Sequence, residues 1–395
     1  MKEVSQIWLE DITGPSSLSD KIVQSLLNAE SVTFLADPNM PWKLQFRGNI
    51  ESRLGRVNLR FKLIDDADDV KEGEDIGKYL VTTAAHNRLH DYLRKRSNKE
   101  RNDFIRENNL FNSMVFWVKG LTLSQAIQWI QFIYAYRSKK IADGMFVLEI
   151  PSQYQSGIKL HSSIVKYSDF VKNQDLLLYA SILVENSSIP PHMRLYAANV
   201  AASICVTDAE VADKMLRDLD FENEDPIAGL KRVHADWFAN SSKGKLKNDS
   251  EPHPFELLED ADVNRLEKRV WIAQLQIAFP AIELERVEFI NNKYILIKEA
   301  MNTEYLERET GKTDYIRQYN DWMWDQNPYD VEIGTLWKMI RLYRKDKPSQ
   351  YLLHVSEEER QRLSFLRDRR NDLAHMKTCT PQQISDLFKK YRCQH

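Results

Sequence analysis

The sequence predicts a multidomain α+α/β protein: a layered α/β domain at the N-terminus, a helical middle, and an all-α helical bundle at the C-terminus. Three observations carry this. Short apolar runs at 31–36, 57–65, 112–118 and 144–151 are separated by helical stretches, as in a mostly parallel sheet with crossover helices. Beyond about 160 the strand signal fades and apolar residues recur at helical spacing. A polar stretch with Gly and two Pro, "NSSKGKLKNDSEPHP" (240–254), then reads as a linker. The expected boundaries are 1–155 for the α/β domain, 156–240 for the helical domain, 241–261 for the linker and 262–395 for the bundle.

"SVTFLA" (31–36) reads as a short buried strand, ended by the Pro- and Asn-containing turn "DPNMPW". A helix follows over Lys43 to Leu54, and "VNLRFKLID" (57–65) alternates apolar and polar residues as a strand does. An acidic loop (65–75) leads into helical sequence over about 76–108. "NSMVFWV" (112–118) is a third strand, and the stretch after it carries Leu123, Ile127, Ile130, Phe132 and Tyr134 on helical spacing. "GMFVLEIP" (144–151) is a fourth strand, ended by Pro151. In the C-terminal third, two long amphipathic segments flank Pro280, which either starts the second helix or kinks a continuous one. A further helix is expected over 331–345. Ser356 with Glu359 forms a capping box ahead of "EERQRLSFLRDRRNDLAH", and Thr380-Pro381-Gln382-Gln383 starts a last helix.

Composition bounds the function. At 43% hydrophobic and 29% charged the chain can bury cores, and its net charge of −3 provides no global basic field for nucleic acid. Three scattered cysteines without a CxxC pair suit a reducing compartment and do not form a zinc site. No apolar run approaches the ~20 residues that span a bilayer, and "MKEVSQIWLEDITG" is not a signal peptide. The expectation is a soluble, cytoplasmic protein with no membrane contact.

The first strand runs into a helix as in P-loop proteins, but the turn is "ADPNMPWK" rather than GxxxxGK[ST]. A phosphate cradle needs converging backbone N–H groups, and Pro38 and Pro41 have none. The strand "MVFWV" ends in Lys119-Gly120, with no acid to hold Mg²⁺. In strand–helix order the region resembles a P-loop core of AAA or STAND type with both nucleotide motifs missing. That resemblance implies a degenerate scaffold or sensor, able to dock a protein partner or regulator. His86 and His90 are spaced i, i+4 but lack the Glu of HExxH, so a solvated helix face is the expectation. The aromatic run "YNDWMWDQNPY" (319–329) is read as packing rather than base stacking. No cofactor or metal is expected.

The C-terminal stretch "RRNDLAH" (369–375) concentrates chemistry in a chain with only 9 histidines. On a helix Asn371 and His375 are i, i+4, and Arg370 lies about 100° from Asn371. A guanidinium, an amide and an imidazole are the groups that metal-free RNA cleavage needs. The imidazole moves the proton of a ribose 2′-OH or of the leaving oxygen, and the guanidinium holds the phosphate. Arg367, Arg369 and Lys377 add local basic charge and are the candidate RNA-binding residues. The competing reading is a helix C-terminus, where Arg and His complement the macrodipole.

Arg370-Asn371-Asp372-Leu373-Ala374-His375 resembles the R-N-x-x-x-H form of the RxxxxH motif of the HEPN superfamily, near the end of a late helix and followed by a final one. The resemblance covers about 262–393. It implies a metal-independent endoribonuclease acting as a homodimer through the C-terminal bundle, with RNA as substrate and phage defence or toxin action as the setting. Arg370 and His375 are then the catalytic pair and Asn371 their helper. An acid on an earlier helix often supports the Arg, and Glu283, Glu285 and Glu288 are the candidates. The alternative is a non-catalytic, dimerising interaction subunit of a defence or regulatory complex.

Overall fold

In a computed structural model of the chain, the structure describes residues 2–65, 70, 75–136, 139–158, 163–240, 251–316 and 327–392. Most of the expected acidic loop at 65–75, the expected linker up to 250 and the aromatic run up to 326 lie outside them; the rest of the expected linker is not one, since Pro254–Glu259 is a helix with Phe255 and Leu257 buried. Five strands, β1 (Val32–Ala36), β2 (Arg60–Asp65), β3 (Met114–Lys119), β4 (Met145–Pro151) and β5 (Ser163–Lys166), form one parallel sheet in the order β2-β3-β4-β1-β5. The first four match the apolar runs in the sequence. The fifth was not expected: it is a four-residue edge strand with an exposed Ile164 and two polar ends, too short to show a period.

Burial along the strands follows their place in the sheet. β1 is buried throughout and β3 through Val118, whereas the edge strand β2 buries only Ile64 fully. One face packs Phe116 on Phe146 (centroids 5.4 Å) with Tyr136 edge-on to Phe146. Trp117, next in sequence and so on the other face, meets Phe34 at 6.1 Å and Phe46 at 6.3 Å. Both faces are therefore covered, as an all-parallel sheet requires. The longer helices before β5 are α1 (Thr13–Leu27), α2 (Lys43–Gly55), α3 (Ile76–Ala84), α4 (Asn98–Glu107) and α5 (Leu123–Tyr136). The helical stretch expected over 76–108 is thus interrupted. Ala85 leaves helical geometry (φ −151°), and Ser97 restarts the chain by accepting the Glu100 N–H at 3.2 Å.

Helices α6 (Asn173–Glu185), α7 (Arg194–Cys205), α8 (Ala209–Asp218) and α9 (Pro226–Asn240) fill the stretch expected to be helical. The chain forms two compact units, each built from separated segments. One contains Met1–Leu183, Cys205–Met215 and Val233–Ala261; the other contains Val184–Ile204, Leu216–Arg232 and Asp262–His395. Residues 156–240 are apportioned between the two.

The second unit contains α10 (Val263–Met301), α11 (Ile333–Met339), α12 (Glu357–Ala374) and α13 (Pro381–Arg392). Pro280 sits inside α10, and the one residue of that helix with non-helical backbone angles is Lys293 (φ −122°, ψ 16°). The helix expected over 331–345 is confined to Ile333–Met339. The chain then enters a small antiparallel sheet, β7-β6-β8, made of β6 (Glu304–Leu306), β7 (Thr313–Tyr315) and β8 (Tyr343–Arg344). The C-terminal region is therefore not all helical. Strands of two or three residues carry too few alternations to be seen in sequence. Among the described residues no helix is long and apolar enough to cross a membrane.

Candidate functional site

In the first unit the chain leaves β1 toward β2 on one side, while β4 connects to β5 on the other. The switch point between β1 and β4 is where open α/β sheets hold ligands. Here the turn after β1 spends its own backbone donors, and a cavity of about 220 Å³ beside it is lined by Asp37, Asn39, Lys172, Asp208 and His253. The Asn39 N–H donates to Asp37 Oδ1 (2.7 Å), the Met40 N–H to the Asp37 carbonyl (3.1 Å) and the Trp42 N–H to Glu210 Oε1 (2.8 Å). With Pro38 and Pro41, every residue from 38 to 42 has either no donor or a spent one. Lys43 Nζ, at the start of α2, donates to the Pro38 carbonyl at 2.8 Å. Burial pushes the Asp37 carboxyl up from its usual range.

Beside this loop Arg47 grips Glu149 with two hydrogen bonds of 2.8 Å, and Trp117 Nε1 donates to the same carboxylate at 2.8 Å. Burial alone would raise the Glu149 carboxyl, but the guanidinium and indole donors hold it below its usual range. Lys119, where an acid would hold Mg²⁺, is ion-paired with Asp65 of the neighbouring strand. His86 and His90 are exposed, the first on a 3-10 turn (86–88) and the second on a short helix (89–93). Among the described residues no group of three or more His, Cys, Asp or Glu is placed to hold a metal ion.

The second unit presents the sequence motif. The Ser356 capping box starts α12: the Glu359 N–H donates to Ser356 Oγ (3.1 Å) and the Ser356 N–H to Glu359 Oε2 (2.8 Å). Leu363, Leu366 and Leu373 form its buried stripe. The helix ends in a Schellman motif. His375 is the C-cap, Met376 takes the left-handed conformation (φ 59°), the Lys377 N–H reaches the Asp372 carbonyl (2.8 Å) and the Met376 N–H the Leu373 carbonyl (3.2 Å). So His375 does occupy a helix terminus. Two residues of α10, invisible as functional candidates in the sequence, fix this end. Trp271 Nε1 donates to the Leu373 carbonyl at 2.7 Å. Gln274, wholly buried, donates to the Cys379 carbonyl (2.8 Å) and accepts the Cys379 N–H (2.7 Å).

Most arginines of α12 are committed. Arg360 donates to the Ile340 carbonyl (2.8 Å) and lies over Tyr351, and Arg362 forks onto Glu285. Arg367 bonds Asp368 (3.0 Å) and lies over Trp337, and Arg369 pairs with Asp372 (2.9 Å) beside Phe365. Arg370, Asn371 and His375 make no side-chain hydrogen bond or ion pair among the described residues. Arg370 is half-buried, in line with the Leu363–Leu366–Leu373 stripe, while Asn371, His375 and Lys377 are exposed. At ideal helix geometry Arg370 and His375 diverge by about 140°, so one copy does not hold them together on one face. Of the candidate supporting acids, Glu285 is taken by Arg362, Glu283 pairs with Arg286 (2.8 Å), and Glu288 is exposed. None of the three is bonded to Arg370.

A third constellation has the composition of a hydrolytic triad but not its polarity. Ser385 Oγ donates to Glu222 Oε1 (3.0 Å) and lies 3.1 Å from His192 Nε2, which must then donate to it. Ser385 is wholly buried, and Lys389 holds the same carboxylate at 2.7 Å. A serine that accepts from its histidine is not being activated as a nucleophile, so these groups join α13 to its own unit.

No protein-family model and no curated protein matches the chain. Among solved structures it is similar to chains in Drosophila ORC bound to DNA (10% identity, TM-score 0.26, 72% of this chain and 54% of that one). It is also similar to chains in Drosophila ORC bound to GC-rich DNA and Cdc6 (13%, 0.26, 76% and 54%) and bound to poly(dA/dT) DNA and Cdc6 (11%, 0.27, 98% and 70%). The chain spans about half the length of the first two matches. At these TM-scores the likenesses carry no argument about fold or function.

Proposed function

We propose that the chain is a metal-independent RNA endonuclease of HEPN type, acting as a homodimer, with Arg370 and His375 as the catalytic pair and Asn371 as their polar helper. The observation that supports this is selective. Along a helix whose other arginines are bonded or stacked, Arg370, Asn371 and His375 are left uncommitted at a rigidly held end. In the proposed reaction a neutral His375 imidazole takes the ribose 2′-OH proton, and the 2′-oxygen bonds to the adjacent phosphorus. The bond from phosphorus to the 5′-oxygen breaks, and that oxygen takes a proton from the protonated His375 of the second copy. Arg370 binds the phosphoryl oxygens and stabilises their growing charge. One copy supplies a single imidazole and a guanidinium that diverges from it, so two copies are needed for acid, base and phosphate clamp together.

The product ends test this. RNA incubated with the protein in EDTA should acquire 2′,3′-cyclic phosphate and 5′-hydroxyl termini. Products with 5′-phosphates, or cleavage abolished by EDTA, would overturn the reading. A second reading, a non-catalytic dimerising subunit, is favoured by the spent donors between Pro38 and Trp42, which leave the first unit as a scaffold. It predicts a dimer that cuts no RNA.

A further inference from the structure

The small sheet β7-β6-β8 and α11 enclose a groove of about 330 Å³ within the second unit. Its lining carries four cations, Arg308, Lys312, Lys338 and Arg341, against two acids, Glu307 and Glu309. Arg308, Lys312 and Arg341 are exposed, and none of the three is ion-paired with a carboxylate among the described residues.

The aromatic residues of the groove hold guanidinium planes in place. Arg308 Cζ lies 3.5 Å from the Tyr343 ring centroid, and Arg341 Cζ lies 4.4 Å from that of Trp337. Tyr343 in turn stacks on Tyr351 at 4.8 Å. Fixed guanidinium planes beside aromatic rings are platforms on which unpaired bases stack, and the charge of such a groove tracks a phosphate backbone. A paired duplex keeps its base faces covered and cannot use them.

One lining residue, Trp337, touches the motif helix. Arg367 lies 3.6 Å from the Trp337 centroid, and Arg367, Asn371 and His375 follow at i, i+4, i+8 along one side of α12. That places His375 about 12 Å along the helix axis from the stacked Arg367.

We propose that this groove binds single-stranded RNA. Bases stack on the Arg308–Tyr343 and Arg341–Trp337 pairs, Lys312 holds phosphate, and the strand leads along α12 toward Asn371 and His375. The choice of RNA over single-stranded DNA rests on the endonuclease reading; the choice of unpaired over paired strands rests on the groove itself.

The test is fluorescence anisotropy with the full chain carrying His375→Ala, so that no turnover confuses binding. The probes are a labelled 12-nucleotide mixed-sequence RNA, its duplex, and an oligoglutamate peptide. Arg308→Ala and Arg341→Ala, added singly, should each weaken single-strand binding at least about fivefold and lower the log–log salt slope by about 0.7. Arg308→Lys should keep the slope and still lose affinity, because it keeps the charge without the plane. Arg56→Ala, an exposed residue of the first unit, should change nothing. Unchanged single-strand binding in both alanine variants would overturn the proposal. So would duplex or oligoglutamate bound as tightly as the single strand. The two readings fail separately. Groove variants that lose RNA binding in a protein that cuts nothing would sink the endonuclease and keep the groove. Groove variants that bind normally in a protein producing cyclic ends would sink the groove and keep the endonuclease.

Discussion

Met376 holds the left-handed turn that closes α12, and it does so with a Cβ that this conformation disfavours. Glycine meets no such cost at that position of a Schellman motif. Met376→Gly should therefore stabilise the protein by about 0.5–1 kcal/mol, read as a higher urea midpoint with an unchanged slope; a lower midpoint would argue against strain there. The same residue explains what the sequence could not convey. Ser356, Glu359, Thr380 and Gln383 announce their caps because their side chains make the capping bonds, and all four make them. The end of α12 falls at His375, where the sequence reading put it, but it is closed by backbone bonds around a methionine, so nothing in "HMKTC" announces the left-handed turn itself. The motif residues themselves were legible as chemistry. That Arg370 follows the buried stripe while Asn371 and His375 face solvent emerges only from packing.

At the scale of elements, the motif depends on a clasp between α10 and the turn into α13. Gln274 satisfies both backbone groups of Cys379, and replacing it by leucine orphans each of them at roughly 1–3 kcal/mol per group. Burial raises the Cys379 thiol to about 11, so in the native protein it should react slowly with thiol reagents at pH 8. In Gln274→Leu the turn should loosen and Cys379 should react much faster, with a lower melting temperature. Equal reactivity in the two proteins would show that the clasp does not hold the turn. Such a contact between residues 105 apart has no local signature, and neither have β5 to β8, whose pairing rather than length makes them strands. Strands β1, β3 and β4 were legible as apolar runs bounded by turn residues, β2 by its alternation, and the amphipathic helices because each repeats its period often enough.

Over the whole molecule, the sequence order suggests consecutive domains, whereas the compact units interleave: Val184–Ile204 and Leu216–Arg232 belong with Asp262–His395. No shift in composition marks those exchanges, because each falls within sequence that is helical throughout. The α/β unit buries a charge pair, Arg47 with Glu149. Glu149, held below its usual carboxyl range by Arg47 and Trp117 against the cost of burial, contributes stability that is present above the unfolded value near 4.5 and is lost as pH falls through the lower folded value. Glu149→Gln should remove that part of the acid-induced loss, seen as a shallower fall of melting temperature below pH 4.5. Arg47→Ala leaves the carboxylate buried and unpaired and should cost about 3–5 kcal/mol near neutral pH. A wild-type acid profile in Glu149→Gln would contradict this role.

One assay reads Arg370 and His375 together: the rate of RNA cleavage in EDTA by the wild-type protein beside Arg370→Ala and His375→Ala. The wild type should cleave, and each variant should lose at least about 100-fold while remaining folded. Cleavage by His375→Ala at the wild-type rate would contradict the catalytic pair.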